Sequence, residues 1–358
     1  MINSLCLNMI VRDESPVILR CLESVVPLIN YWVIVDTGSK DDTAQKIEAF
    51  FKDKKIPGEL HHKKWVNFEK NRNQALKLAK KHGDYLLFID ADEQLIYESD
   101  FQLPKLDKDS YLIRCNNDTI FTDRRLIVRA DLDWKWVGQI HETIECAEAK
   151  TLDTIPHLIN FASGGGGARS LHPTETREGD AKTLENILKD DPKNSRALFY
   201  LGLTYLLLLK FEKALVMFKR RAKYNDASEE YYVTLLQIAK IMHGLKKDPD
   251  KTFKAYLKAI KFHPARAESY FYLARFLRGQ KDLKTAYEVA KKGLEYTGTQ
   301  DHLAVESRIY DFGMALEFSV IAVGVDDLTG AREAAVGLLQ KPNLPENVSH
   351  FIKRMWDV

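Results

Sequence analysis

Apolar and polar positions follow two different rhythms along this chain, and the change between them falls near residue 176. Before it, short continuous apolar runs of strand length are separated by stretches with apolar residues every three or four positions, the spacing of helices. Residues 4–11 read as a buried strand. Arg12-Asp13-Glu14-Ser15-Pro16 ends that strand in polar residues, with a proline placed for the first turn of a helix. Ile18, Leu19, Leu22, Val25 and Val26 then recur at helical spacing over 17–26. Residues 32–35 form a second strand and 36–43 a turn, in which Asp41 or Asp42 caps a helix over 44–51. A weak strand at 60–64 and a helix over 69–81, stopped by Gly83, follow. Tyr85-Leu86-Leu87-Phe88-Ile89 is too continuously apolar for a half-exposed strand, so it reads as a central one. It runs straight into Asp90, Asp92 and Glu93. Residues 110–114 and 125–129 are strands of an antiparallel extension. The alternation predicts an α/β domain with a mostly parallel sheet covered by helices.

From 176 onward the strand signals vanish and helical periodicity continues to the end. Ala197-Leu198-Phe199-Tyr200-Leu201-Gly202 recurs as Ser269-Tyr270-Phe271-Tyr272-Leu273-Ala274, an offset of 72 residues, with a weaker copy at 230–238 between them. Residues 211–218 and 283–290 are the matching second helices, and small residues such as Gly202, Ala214, Ala274 and Ala286 let paired helices approach. A degenerate unit spans 308–339, and 347–356 is a capping helix. Two units of about 36 residues resemble tetratricopeptide repeats, whose period is about 34. The resemblance implies an all-α solenoid of three to four repeats that grips a peptide or protein on its concave face. Left open are a solenoid that only props up the first domain and one that pairs two copies as a homodimer.

Between the halves, residues 160–173 hold the run Gly164-Gly165-Gly166-Gly167. Four glycines cost much backbone entropy if ordered. They suit a loop that orders over an active site on ligand binding, or a plain linker. The expected division is 1–158, a connector at 159–175, and a helical domain at 176–358.

Length and charge narrow the class. A chain of 358 residues is too long for one ordinary core. A net charge of +2 implies neither a nucleic-acid nor a membrane partner. Cys6, Cys21, Cys115 and Cys146 contain no C-x-x-C pair, so they read as free thiols of a reducing compartment. No apolar run reaches the ~18 residues of a transmembrane helix, and the start lacks a basic n-region. The expectation is a soluble, cytoplasmic protein.

The chemistry gathers around Asp90 and Asp92. Two carboxylates two residues apart at a strand end suit Mg²⁺ or Mn²⁺, which take oxygen ligands and share them with substrate phosphates. Ligands of open α/β sheets bind at that end of the strands. Four segments then sharpen this reading: Ile10-Val11-Arg12-Asp13-Glu14; Val33-Ile34-Val35-Asp36-Thr37-Gly38-Ser39-Lys40-Asp41-Asp42-Thr43; Asn71-Arg72-Asn73-Gln74-Ala75; and Phe88-Ile89-Asp90-Ala91-Asp92-Glu93. In order and spacing they resemble the motifs of family 2 glycosyltransferases with the GT-A fold, over roughly residues 1–150. The resemblance implies transfer of a sugar from a nucleotide diphosphate sugar, with UDP the expected carrier and Mn²⁺ or Mg²⁺ assisting. It places Val11, Arg12, Glu14, Asp36 and Ser39 along base and ribose, and Arg72 against the diphosphate or the Asp-x-Asp segment. Asp90 and Ala91 lie near ribose or sugar, and Asp92 on the metal. Taken singly, Asp36 is a turn-forming residue and Arg72 a surface charge.

Downstream, Trp134-Lys135-Trp136-Val137-Gly138-Gln139-Ile140-His141-Glu142 is similar to an aromatic-Gly-x-x-His-Glu segment of such enzymes with a tetratricopeptide tail. Inverting transfer needs one carboxylate to take the acceptor's proton. Glu142 is the candidate base, with Asp131 and Asp133 as fallbacks. Trp134 and Trp136 are candidate sugar platforms, and His141 a residue that orients Glu142 or contacts diphosphate. The resemblance also implies a histidine completing the metal site, His172, with His157 as its rival. The reading is a metal-dependent inverting glycosyltransferase acting on a polypeptide or glycan. A scaffold with an inactive transferase domain is the alternative. A nucleotidylyltransferase is disfavoured, because no Gly-rich basic loop follows the first strand.

Overall fold

The computed structural model describes residues 3–116, 119–162, 166–341 and 344–357. The chain divides into two compact units, Met1–Pro192 and Lys193–Val358. Among the described residues no helix is long and apolar enough to cross a membrane.

The first unit is built on an eight-stranded sheet in the order β3-β2-β1-β4-β7-β6-β10-β5. Four parallel strands come first: β1 (Leu5–Val11), β2 (Tyr31–Asp36), β3 (Gly58–His62) and β4 (Tyr85–Phe88). The apolar residues of β1, β2 and β4 are largely buried on both faces, as their runs required, while β3 is half-buried. Helices α1 (Ile18–Val25), α2 (Thr43–Lys54) and α3 (Phe68–Ala79) connect them. Register aligns Val11 with Asp36 and Asn8 with Phe88, so the polar segments after β1, β2 and β4 emerge at one edge. Strand β5 (Glu93–Ile96) follows the acidic turn, then β6 (Ser110–Asn116) and β7 (Phe121–Arg129). A two-stranded ladder, β8 (Lys135–Val137) with β9 (Thr143–Glu145), completes the segment around Glu142.

Strand β10 (Leu152–Ala162) corrects the expected connector, which began at 159. It pairs with β6 and β5 and enters the sheet between them. Pro156 hides it in sequence, since proline cannot donate to a ladder. The ladder accommodates it with a register shift between Thr154 and Ile159, where His157 takes left-handed backbone (φ 64°). Ser163, Gly164 and Gly165 lie outside the described residues. Short α4 (Ala168–Leu171) and long α5 (Pro173–Asp190) follow. The latter groups with the first unit, not with the repeats.

The second unit stacks antiparallel helix pairs of the tetratricopeptide kind. The pairs are α6 (Ser195–Leu207) with α7 (Phe211–Arg221), α8 (Glu229–Gly244) with α9 (Pro249–Phe262), and α10 (Ala267–Gly279) with α11 (Leu283–Gly293). A fourth pair joins α12 (Met314–Val323) to α13 (Leu328–Leu338), and α14 (Glu346–Trp356) caps the stack. Ala214, Ala274 and Ala286 are fully buried. The connection after α11 breaks the repeat pattern. It doubles back to α8, where Glu229 accepts the backbone N–H groups of His302 (2.9 Å) and Leu303 (2.6 Å). Buried Arg266 forks onto Glu268 at 2.8 and 2.9 Å and reaches Asp301 at 2.9 Å. The second oxygen of this carboxylate chemistry is also used: Tyr310 donates its hydroxyl to Glu268 at 2.6 Å. Residues 294–308 thus form a strap tied down by buried, mutually satisfied charges.

A Cβ on Gly202 would sit 2.7 Å from the ring of Phe218, which is fully buried. Gly202→Val is expected to destabilise the second unit by about 1–3 kcal/mol through overpacking, read from the urea midpoint. Phe218→Leu in the same chain should recover part of the loss.

Candidate active site

The site is assembled where β1, β2 and β4 end. Two loops brace each other there. Ser39 Oγ accepts the N–H of Asp13 (3.0 Å), and Asp13 Oδ1 accepts that of Lys40 (2.6 Å). Thr43 Oγ1 accepts from Glu14 N at 2.8 Å, and Asp41 Oδ2 from Ser15 N at 3.1 Å. Asp13 lies in left-handed backbone (φ 55°), so this loop needs that support. Asp36 is buried, and its Oδ1 accepts the N–H groups of Gly38 and Ser39, each at 2.7 Å. It is therefore a turn-forming residue, as its plain reading had it, held at the site edge. Val11 is buried, and its carbonyl accepts from Thr37. Arg12 is exposed beside Asp13.

Arg72 stands at the centre. It comes from the first half of α3, whose N-cap Asn67 accepts from Lys70 N at 2.8 Å. Its side chain is 7% exposed, so it is no surface charge. Nη2 donates to Asp90 Oδ1 and Nε to Glu142 Oε1, each at 2.5 Å, and the guanidinium lies 4.9 Å from the centre of the Trp136 ring. A second cation, Arg124 on β7, reaches Asp90 Oδ2 at 3.6 Å and Glu93 Oε1 at 2.5 Å. Sequence reasoning missed Arg124, since nothing in an arginine-bearing strand tells which arginine turns inward. It also missed Arg20, which donates to the Asp92 carbonyl at 3.1 Å.

The two aspartates are shifted in opposite directions. Burial opposes ionisation of Asp90, but Arg72 and Arg124 overcome it and hold its carboxyl down to about 2. Burial, with Asp90 and Glu93 adding repulsion, pushes the Asp92 carboxyl above its ordinary value. Ala91 between them is buried. No ion pair reaches Asp92 among the described residues. Glu14 joins it from the first loop. Burial, and then Asp92, Asp90 and Asp41, push Glu14 up to about 7, against a partly offsetting N–H from Ala168 at 3.2 Å.

The glycine run meets these two acids. A Cβ on Gly167 would lie 2.8 Å from Asp92 Cβ, 3.1 Å from Asp92 Oδ2 and 3.0 Å from Glu14 Oε2. Only glycine fits that approach. Gly166, at φ 97°, is likewise pressed against Val17.

Several expectations about this site need correction. Trp134 is 2% exposed and donates its indole N–H to the Arg129 carbonyl at 2.9 Å. Trp136 is 5% exposed and packs edge-on against Phe88, 5.1 Å between ring centres. Both are core residues, not open platforms for a sugar. Asp131 pairs with Arg129, and Asp133 with Lys80 and Lys135, all outside the cluster. His141 is exposed, in left-handed backbone. The His172 side chain is 70% exposed with Glu175 3.7 Å away, and His157 is exposed on the β10 bulge. Among the described residues no three His, Cys, Asp or Glu side chains converge as metal ligands, so neither histidine completes a site with Asp92. The donor set still suits Mg²⁺ or Mn²⁺. Two carboxylates, Asp92 and Glu14, converge beside Gly167, and such ions take their remaining ligands from substrate and water.

A curled α/β sheet with an Asp-x-Asp turn at its central strand end frames the comparison: residues 6–166 match the model of glycosyl transferase family 2. Among relatives, glycosyltransferase SunS of Bacillus phage SPbeta is 27% identical over 235 residues, 61% of this chain and 54% of its own. The SPbeta prophage-derived glycosyltransferase SunS of Bacillus subtilis (strain 168) matches to the same extent. A TPR repeat-containing protein of Synechococcus elongatus is 44% identical over 98 residues, 27% of this chain and 22% of its own. The chain spans about half the length of the SunS relatives it matches. Among solved structures, MamA covers 48% of this chain and 93% of its own at 16% identity and a TM-score of 0.39. YrrB, titled a TPR protein with an unusual peptide-binding site, covers 51% and 87% at 13% identity and the same score.

Arg72→Met would leave Asp90 and Glu142 without their shared cation. Breaking such a pair from one side costs about 3–5 kcal/mol when fully buried, so a loss near the lower figure is expected in the urea midpoint. Glu14 gives a pH test. Its folded value of about 7 lies above the ordinary 4.5. Its contribution is therefore fully present below pH 4.5 and lost as pH rises through 7. Glu14→Gln should raise the melting temperature over wild type at pH 8, with the gain shrinking toward pH 5. A gain independent of pH would contradict the raised value.

Proposed function

We propose that the first unit moves a sugar, with inversion, from a nucleotide diphosphate sugar, UDP being the expected carrier, to a polypeptide or glycan acceptor. The observation that carries this is Arg72 holding Asp90 and Glu142 together beside the freer carboxylate of Asp92. The family domain at 6–166 and the SunS relatives support transferase activity. In this reading Asp36, Ser39, Val11 and Arg12 frame the nucleoside at the strand ends. Asp90, fixed by two arginines, orients sugar or ribose hydroxyls. Asp92 with Glu14 would hold Mg²⁺ or Mn²⁺, an ion that offsets the charge of a diphosphate leaving group. Glu142, set by Arg72 and only 10% exposed, takes the acceptor proton as the acceptor attacks the anomeric carbon from the face opposite the nucleotide. The four cysteines are free thiols, which suits the cytoplasmic setting we assign.

Thermal shift and calorimetry with UDP, GDP, CDP and their sugars, with and without Mn²⁺, test the donor site. One nucleotide should bind in a Mn²⁺-dependent way and raise the melting temperature by mass action. Asp92→Ala should lose the Mn²⁺ dependence, and Glu142→Gln should keep donor binding while losing transfer. Binding of no nucleotide by the folded chain would overturn the reading, and full transfer by Glu142→Gln would remove Glu142 as the base.

A further inference from the structure

Charge is unevenly shared along the chain. Residues 193–358 carry 27 Lys and Arg against 19 Asp and Glu, whereas residues 1–192 carry 26 against 32. The near-neutral total hides a basic second unit. Within that unit the buried acids are already matched: Glu268 with Arg266, Glu306 with Lys240, and Glu317 with Arg278. The surplus is therefore lysine on the surface.

Part of it borders a groove. Lys219, Ala222 and Lys223 from the end of α7, Leu235 and Ile238 from α8, and Ala255 and Lys258 from α9 line one open hollow. Leu235 and Ile238 are almost fully buried and form its floor, while the three lysines are exposed. Ala222 and Ala255 keep it open where larger side chains would fill it. No carboxylate pairs with Lys219, Lys223 or Lys258 among the described residues. Lys219 and Lys223 lie four apart, a spacing at which like charges repel. The dipole at the C-terminus of α7 offsets that for these two. It does nothing for Lys258, which sits inside α9. Val216, one turn before Lys219, adds apolar surface at 53% exposure.

We propose that this groove docks an acidic segment of a polypeptide, one whose aliphatic side chains enter the Leu235–Ile238 floor while flanking carboxylates pair with Lys219, Lys223 and Lys258. The lining favours peptide over single-stranded nucleic acid, because no aromatic ring is present for bases to stack on. The side of α8 and α10 next to the strap is already taken by residues 301–306, through Glu229, Arg266 and Glu268. On the transferase reading proposed above, the docked segment belongs to the acceptor, and that clause alone rests on it.

Binding is measured without donor, by fluorescence anisotropy. The probes are a fluorescein-labelled peptide of alternating Glu and Leu, its Lys-and-Leu counterpart, and labelled oligo-dT. The Glu-and-Leu peptide should bind the full chain and weaken as salt rises from about 50 to 300 mM, which shortens the screening length. The triple variant Lys219→Glu, Lys223→Glu, Lys258→Glu should bind it at least tenfold more weakly, and the corresponding Gln variant should fall between. All three sites are exposed, so both variants should keep the wild-type melting temperature. Their nucleotide binding should also be unchanged, which separates failure of this proposal from failure of the donor-site reading. Equal peptide binding by wild type and the Glu variant would overturn the proposal. So would no binding by wild type, tighter binding of the Lys-and-Leu peptide, or tighter binding of oligo-dT.

Discussion

A buried guanidinium must be matched, because an unpaired charge away from water is among the costliest groups a fold can contain. Arg72 meets that demand with two carboxylates from distant parts of the chain, Asp90 after β4 and Glu142 just before β9, and with the face of Trp136. Each contact fixes a different element. The helix α3 is tied to the central strand end, and the β8–β9 ladder is drawn over both. Arg124 supplies a second cation from β7. Without these two arginines, Asp90, Asp92 and Glu93 would crowd three negative charges onto one turn. With them, neighbouring aspartates become unlike: Asp90 is held to about 2 while Asp92 is pushed upward. Environment, not residue type, divides their labour.

The same constraint explains the glycines that are described. Gly167 stands where any side chain would collide with Asp92 and Glu14, and Ala168 donates its N–H to Glu14. The demand there is for close backbone approach, which a purely flexible linker would not impose. β10 delivers the chain to this point. By pairing with both β5 and β6 it brings the residues after it back to the strand ends where the acids lie. Any group that binds Asp92 must therefore share space with the backbone at Gly167.

How much of this was legible follows from what each element is made of. β1, β2 and β4 were plain because both faces are largely buried and their runs are nearly all apolar, Asn8 being the one polar residue inside β1. The pairs α6–α7 and α10–α11 were plain because the same apolar spacing appears twice. β10 was hidden by Pro156 and by the polar residues of its bulge. Asp36, Arg72, Asp90 and Asp92 were found through motif order, and the structure brings three of them, with Glu142, around one guanidinium or onto its flanking turn. The tryptophans misled for a specific reason. A spacing of two predicts a shared face only inside a strand, and β8 begins at Lys135, after Trp134. Arg124 was invisible, because inward orientation on an edge of charged residues depends on which acid lies opposite. The histidines failed for a similar reason: His172 ends a short helix in solvent, a position no local pattern distinguishes from a ligand.

A net charge of +2 was read as implying neither a nucleic-acid nor a membrane partner, and the average concealed the distribution. Each unit carries its own imbalance, acidic in the one that bears Asp90, Asp92 and Glu14, basic in the one that bears the helix pairs. In the second unit buried pairs, Arg266 with Glu268 and Asp301, hold the strap over α8 and α10. Such pairs are retained because breaking one leaves an uncompensated charge, so they fix geometry more than they add stability. Lysines left at the α7–α9 groove serve no such pair. A side chain of that kind, around a floor of Leu235 and Ile238, contributes little to folding on its own. Negative charge brought from outside the unit, as in the docking proposed above, would give these lysines the partner that the fold does not.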